Sequence, residues 1–149
     1  MTPAILDTVD GTLRVLVVDD EESLRLLFRR HLERDGCEVV AEAGSVDGLV
    51  DLAVAHEPHV ILLDLKLGAD WGADAIGPLC RALPHTMVAI LTSLDAEDEE
   101  SATRRAGAFA YYEKTMLSDL TRFLHEDVET FRRALAGDDV LAPSALSRR

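Results

Sequence analysis

A chain of 149 residues is the size of one domain and can bury a substantial core. Its 28 acidic residues against 15 basic ones leave a net charge of −13, which repels a phosphate backbone and argues against direct nucleic-acid binding. With no apolar run near the length of a membrane span, no signal-peptide pattern in "MTPAILDTVDGT", and Cys37 and Cys80 in no close-spaced motif, a reduced cytoplasmic protein with no membrane partner is expected.

Apolar periodicity then orders the chain. Residues 1–12 read as a flexible N-terminal tail. "LRVLVV" (13–18) reads as a buried strand, and "ESLRLLFRRHLER" (22–34) places Leu24, Leu27, Phe28 and Leu32 at helical spacing. "GCEVVAEA" (36–43) is a turn and a second strand. "SVDGLVDLAVAHEP" (45–58) is a helix capped at Ser45 and stopped at Pro58. Strand 59–63, helix 73–83 (ended by Pro84), strand 87–91, helix 96–106 and strand 108–112 follow, with Gly107 as the C-cap of the fourth helix. The last helix, 116–135, aligns Leu117, Leu120, Leu124, Val128, Phe131 and Leu135 on one stripe. "ALAGDDVLAPSALSRR" (134–149) reads as a helix end and then a C-terminal tail or linker.

Five strands alternating with five helices predict an α/β fold, a doubly wound parallel sheet covered on both faces. Ligands of such sheets sit at the carboxyl ends of the strands, where strand order reverses. Strand 1 runs into Asp19 and Asp20, with Glu21 and Glu22 behind them. Strand 3 ends at Asp64, strand 4 at Thr92 and Ser93, and Lys114 follows strand 5. Each has a plain structural role: a dipole-favoured first turn for the acidic run, a strand terminator for Asp64, a backbone-satisfying hydroxyl for Thr92 and a solvated loop lysine for Lys114.

Brought to one edge, the same residues point to chemistry. Crowded carboxylates share a proton or hold a cation. A few oxygen ligands suit Mg²⁺, which retains waters and accepts phosphate oxygens. Lys66 and Lys114 are the only lysines in the sequence. The backbone carbonyl of Lys66 is placed to reach the metal, while the Lys114 ammonium is suited to a carboxylate or a phosphoryl group. Asp64, alone at its strand end, is the nucleophile for an aspartyl phosphate, with Asp19 and Asp20 as a metal-holding pair. No histidine is needed. His31 and His125 fall in helices, and His56, His59 and His85 near the opposite edge.

The segments "VLVVDDEES", "HVILLDLKLGADWG", "VAILTS" and "GAFAYYEKT" resemble, in that order, the motifs of the receiver domain of bacterial two-component response regulators, over residues 13–133. The resemblance implies a flavodoxin-like, five-stranded sheet of order 2-1-3-4-5 with five helices. It matches Asp64 to the phospho-acceptor and Asp19 and Asp20 to the Mg²⁺-binding pair, Asp20 being the more direct ligand. Lys66 matches the carbonyl ligand, Thr92 the switch hydroxyl, Lys114 the family's lysine and Tyr111 the switch aromatic, with Tyr112 as the register alternative. The implied phosphodonor is a sensor histidine kinase or a small molecule such as acetyl phosphate. The implied switch moves Thr92 toward the phosphoryl group and turns Tyr111 inward. It remodels the surface of helix 4, strand 5 and helix 5 for a downstream partner or a phosphorylation-dependent homodimer.

Some positions depart from the family pattern. Gly68 stands where proline is usual, although Gly72 keeps the later glycine; Ser93 replaces alanine or glycine, and Thr115 follows Lys114 where proline is common. None removes a chemical group from the site. The acidic run 95–100 reads as the solvated start of helix 4, and Trp71 lies in the loop beside Asp64. The tail resembles the tether that joins receivers to helix-turn-helix domains, so the output is a downstream protein or a DNA-binding domain absent from this chain. Two other classes compete. One is a degenerate receiver that binds proteins without phosphorylation. The other is a Mg²⁺-dependent phosphohydrolase, opposed by Lys66 in the place of that class's second carboxylate. The favoured reading is a non-enzyme that catalyses only its own phosphorylation and dephosphorylation.

Overall fold

The structure, a computed structural model, describes residues 11–92, 103–137 and 147–148. The first ten residues of the expected tail, Ser93, the acidic run 95–100 and the start of the fourth helix lie outside them.

Among the described residues, β-branched, aliphatic and aromatic stretches form five main strands: β1 (Arg14–Val18), β2 (Glu38–Ala43), β3 (Val60–Asp64), β4 (Met87–Thr92) and β5 (Ala110–Glu113, Ala-Tyr-Tyr-Glu). They pair in parallel in the order β2-β1-β3-β4-β5, as expected. The helices are α1 (Glu22–Arg34), α2 (Leu49–His56), α3 (Ile76–Ala82), α4 (residues 103–106, the part described) and α5 (Leu120–Leu135).

The period-two alternation of each strand feeds two cores. Val15, Val17, Val60, Leu62, Ala89 and Leu91 meet α1 and α5 through Phe28, Leu32, Leu120, Leu124 and Val128. Leu16, Val18, Ile61, Leu63, Val88 and Ile90 meet α2 and α3 through Leu49, Ala53, Ile76 and Leu79. All of β3 is buried because helices cover both of its faces. Each buried aliphatic side chain contributes roughly 1.5–3 kcal/mol, so this sandwich holds the strand ends in fixed register.

Boundaries differ from the sequence reading where turn geometry overrides periodicity. Ser45 does not cap α2. Its hydroxyl accepts from the Asp47 amide at 3.3 Å, and the helix starts at Leu49 after Gly48, whose φ of +67° lies in the left-handed region. α3 and α5 are each preceded by a 3₁₀ segment, Gly72–Ala75 and Lys114–Asp119. Leu135, at the end of the apolar stripe, is 42% exposed, beyond the reach of the sheet. Ser147–Arg148, within the expected tail, pairs in parallel with Tyr111 and Tyr112 as a sixth strand.

Candidate functional site

The chain leaves β1 at Val18, and the Asp19 amide extends the ladder by donating to the Ala43 carbonyl at 3.0 Å. Asp19 is fully buried. Its Oδ1 accepts from the Glu21 amide at 2.9 Å, which turns the carboxylate back over the start of α1. Its backbone carbonyl accepts from Arg25 Nη1 at 2.5 Å. Asp20, one residue on, is exposed.

Asp64 ends β3 and is buried apart from a small edge. The loop after it doubles back at once: Lys66–Leu67 pairs antiparallel with Asp70–Trp71. Two glycines make this turn. Gly68 has a φ of +63°, and its amide donates to Asp20 Oδ2 at 3.0 Å. Proline meets neither requirement, having φ locked near −65° and no N–H. The departure from the family pattern at this position therefore creates a contact to the acidic pair. At Gly72 a side chain would collide with the Asp64 carbonyl oxygen, and the Gly72 amide donates to the Leu65 carbonyl at 2.6 Å.

Lys114 joins the strands. It follows β5, and its Nζ donates to Asp19 Oδ2 at 2.9 Å and to Asp64 Oδ2 at 3.0 Å. The Lys66 amide donates to Asp64 Oδ1 at 3.3 Å, while the Lys66 side chain is exposed. Asp19, Asp20 and Asp64 each offer an oxygen within 4.8 Å of the others. Three carboxylates against one ammonium leave a deficit of positive charge. Hard oxygen donors with that deficit fit a divalent cation of the Mg²⁺ type.

The electrostatics follow from this crowding. Burial pushes the Asp64 carboxyl above its ordinary value, with Asp19 adding to the effect, although the bond and charge of Lys114 and the Lys66 amide pull the other way. Burial pulls the Lys114 ammonium down, but its bonds to Asp19 and Asp64 outweigh this and hold it above its ordinary value. The carboxylate is thus desolvated yet paired, which suits a nucleophile.

Thr92 ends β4 on the same edge, beside Glu113 of β5 in register, and is buried. β5 separates the two tyrosines. Tyr111 is fully buried in the α2–α3 core, the inward arrangement. Tyr112 enters the α1–α5 core and donates its hydroxyl to Asp127 Oδ2 at 2.6 Å. This gives Tyr112 a packing role tied to α5. The buried Asp127 was not singled out from sequence, although its place beside Leu124 and Val128 on the apolar stripe was a signal. The amides of Glu21 and Gly68, and Arg25, were missed because backbone donors and a long-range arginine leave no spacing to read.

The family model for the response regulator receiver domain matches residues 15–125. The chain belongs to that family. Among curated relatives, the transcriptional regulatory protein PdtaR of Mycobacterium tuberculosis is 33% identical over 141 residues, covering 91% of this chain and 67% of its own. A LuxR-family two-component response regulator from Aurantimonas sp. SI85-9A1 superposes with a TM-score of 0.68 at 27% identity, covering 89% of this chain and 91% of that one. A response regulator from Burkholderia pseudomallei, solved with a phosphorylated aspartic acid, a calcium ion and citrate, has a TM-score of 0.66 at 28% identity, covering 87% and 77%. This receiver domain is therefore a module of two-component signalling. No helix among its described residues is long and apolar enough to cross a membrane.

Proposed function

We propose that this receiver domain takes a phosphoryl group onto Asp64 from a sensor histidine kinase, or from a small donor such as acetyl phosphate, in a Mg²⁺-dependent reaction. The observation that carries the reading is the single ammonium of Lys114 bridging Asp19 and Asp64, with Asp20 at the same centre. Asp19, Asp20, Asp64 and the Lys66 carbonyl would hold the cation. When bound, it supplies neutralisation of the charge on the phosphoryl oxygens.

The chain's own groups do the rest. An Asp64 carboxylate oxygen attacks phosphorus in line, forming a P–O bond as the donor's P–N or P–O bond breaks. The electron pair leaves with the imidazole or acetate. Lys114, held by Asp19, offsets the negative charge as it grows on the transferring group. The Gly68 and Lys66 amides keep Asp20 and Asp64 from rotating away. Thr92 then donates to a phosphoryl oxygen, which holds Tyr111 in the inward position it already occupies and shifts an existing equilibrium at the α4–β5–α5 surface toward that arrangement. The relative PdtaR is named a transcriptional regulator and is longer than the part matched, so the output we assign is a downstream protein or a DNA-binding domain beyond this chain.

The test is intact mass after incubation with acetyl phosphate, with and without Mg²⁺, with Asp64→Ala alongside. One phosphoryl increment in the wild type, lost in the variant and without Mg²⁺, is expected. A folded wild type that also resists its kinase would instead make this a phosphorylation-independent binding module.

A further inference from the structure

Asp19 makes a contact that comes from outside the carboxyl edge. Its amide, Oδ1 and Oδ2 are engaged by Ala43, Glu21 and Lys114, and its carbonyl oxygen receives the Arg25 guanidinium at 2.5 Å. Arg25 lies one turn into α1 and is itself held from behind. Its Nε donates to Glu42 Oε1 at 3.3 Å, and the other Glu42 oxygen takes Arg29 Nε at 2.6 Å. Glu42 sits on β2 opposite Val17 of β1, so its position is set by the ladder. Helix, edge strand and catalytic strand therefore meet at one peptide group.

An ion pair as exposed as Arg25–Glu42 (18% and 28%) contributes little by itself. What it does is aim a rigid fork. The Asp19 carbonyl belongs to the peptide that joins Asp19 to Asp20. A charge-assisted bond to it sets the plane of that peptide, and hence the direction in which the Asp20 side chain leaves the backbone. Among the described residues, Asp20 is also tethered by the Gly68 amide, so the two contacts place it from opposite sides. Gly44 completes the arrangement. A Cβ there would lie 3.2 Å from Arg25 Nη1, so the glycine leaves room for the guanidinium.

We infer that Arg25, aimed by Glu42 and accommodated by Gly44, is a positioning residue for the divalent-cation site, acting on Asp20 through the Asp19 carbonyl. The inference rests on the cation-binding reading above and adds residues that no motif of that reading contains.

It is tested on the full chain by Mg²⁺ titration, followed by the fluorescence of Trp71, the sole tryptophan, and by Mn²⁺ water relaxation. Arg25→Ala is expected to weaken cation affinity about ten-fold, the scale found when outer partners of metal ligands are removed. Arg25→Lys, which keeps the positive charge but not the planar fork, should recover part of that loss. Gly44→Ala is expected to weaken binding a few-fold while every charge and the unfolding midpoint are retained, and it keeps the test open should Arg25→Ala not fold. Wild-type affinity in both Arg25→Ala and Gly44→Ala would overturn the inference alone. So would an affinity loss in Arg25→Ala that only follows its loss of stability and that Arg25→Lys does not restore. A wild type that binds neither cation would overturn the cation-site reading, and the inference with it.

Discussion

The two ends of the sheet treat buried polar groups in opposite ways. At the amino end His59 is buried, and its Nδ1 accepts from the Arg14 amide at 2.8 Å. Thr86 donates its hydroxyl to the Pro58 carbonyl at 2.7 Å, and the Arg14 guanidinium donates to the carbonyls of His56 and Glu57. Main-chain partners satisfy these groups without a buried carboxylate. At the carboxyl end Asp19 and Asp64 lie buried beside Asp20 with one ammonium among them. The first arrangement serves folding. The second retains charge that folding alone would not select, the pattern expected where a site binds and reacts.

Acid should separate the two ends by sign. Burial, with Arg14 and Arg132 close by, pushes His59 down to about 4. The unfolded chain then binds the proton first, so stability from His59 is complete above about 6.5 and is lost as pH falls through about 4. Asp64 is pushed up, so the native state holds its proton longer. Stability from that group is present below its unfolded value of 3.8 and is lost as pH rises through the native value.

The contrast between the two ends is largest at Lys114. Lys114→Ala leaves two buried carboxylates without their cation and should cost ~4 kcal/mol, read as a lower urea midpoint at an unchanged slope. A cost near zero would mean that water already screens that end. His59→Asn keeps an acceptor for the Arg14 amide but cannot titrate. The wild type should lose on the order of 3 kcal/mol relative to this variant between pH 6.5 and 4; parallel pH curves would remove His59 from the account. Tyr112→Phe shows what a buried bond to a carboxylate contributes, with a loss of about 2 kcal/mol expected from the missing hydroxyl donor to Asp127. The smallest effect is a gain. Asp64→Asn relieves crowding and should raise stability by about 1 kcal/mol without Mg²⁺, whereas a loss would make Asp64 a structural residue.

Much of this is legible in the sequence. Asp19, Asp20, Asp64 and Lys114 come together because strand–helix alternation forces a parallel sheet, and a parallel sheet gathers its carboxyl ends. The order 2-1-3-4-5 came only with the family resemblance, since periodicity says which faces are buried and not which strands are neighbours. The hairpin at Gly68 and Gly72 was out of reach, because its reason is a collision with the Asp64 carbonyl and an amide aimed at Asp20. Arg25 read as one of several arginines on the polar face of a helix, and nothing local distinguishes it from Arg30. The Ser45 cap failed because Gly48, three residues later, offered the chain an easier turn. The pairing of Ser147–Arg148 with β5 depends on a free sheet edge, which no local pattern in the tail records.

Asp64, rather than either carboxylate of the pair that follows β1, is the residue proposed to carry the phosphoryl group. Borohydride reduction converts an aspartyl phosphate to homoserine at the residue that bore it. Applied to the acetyl-phosphate-treated chain and followed by peptide mapping, it should place homoserine at position 64 and leave Asp19 and Asp20 as aspartate. Homoserine at either of those positions, with Asp64 intact, would contradict the account.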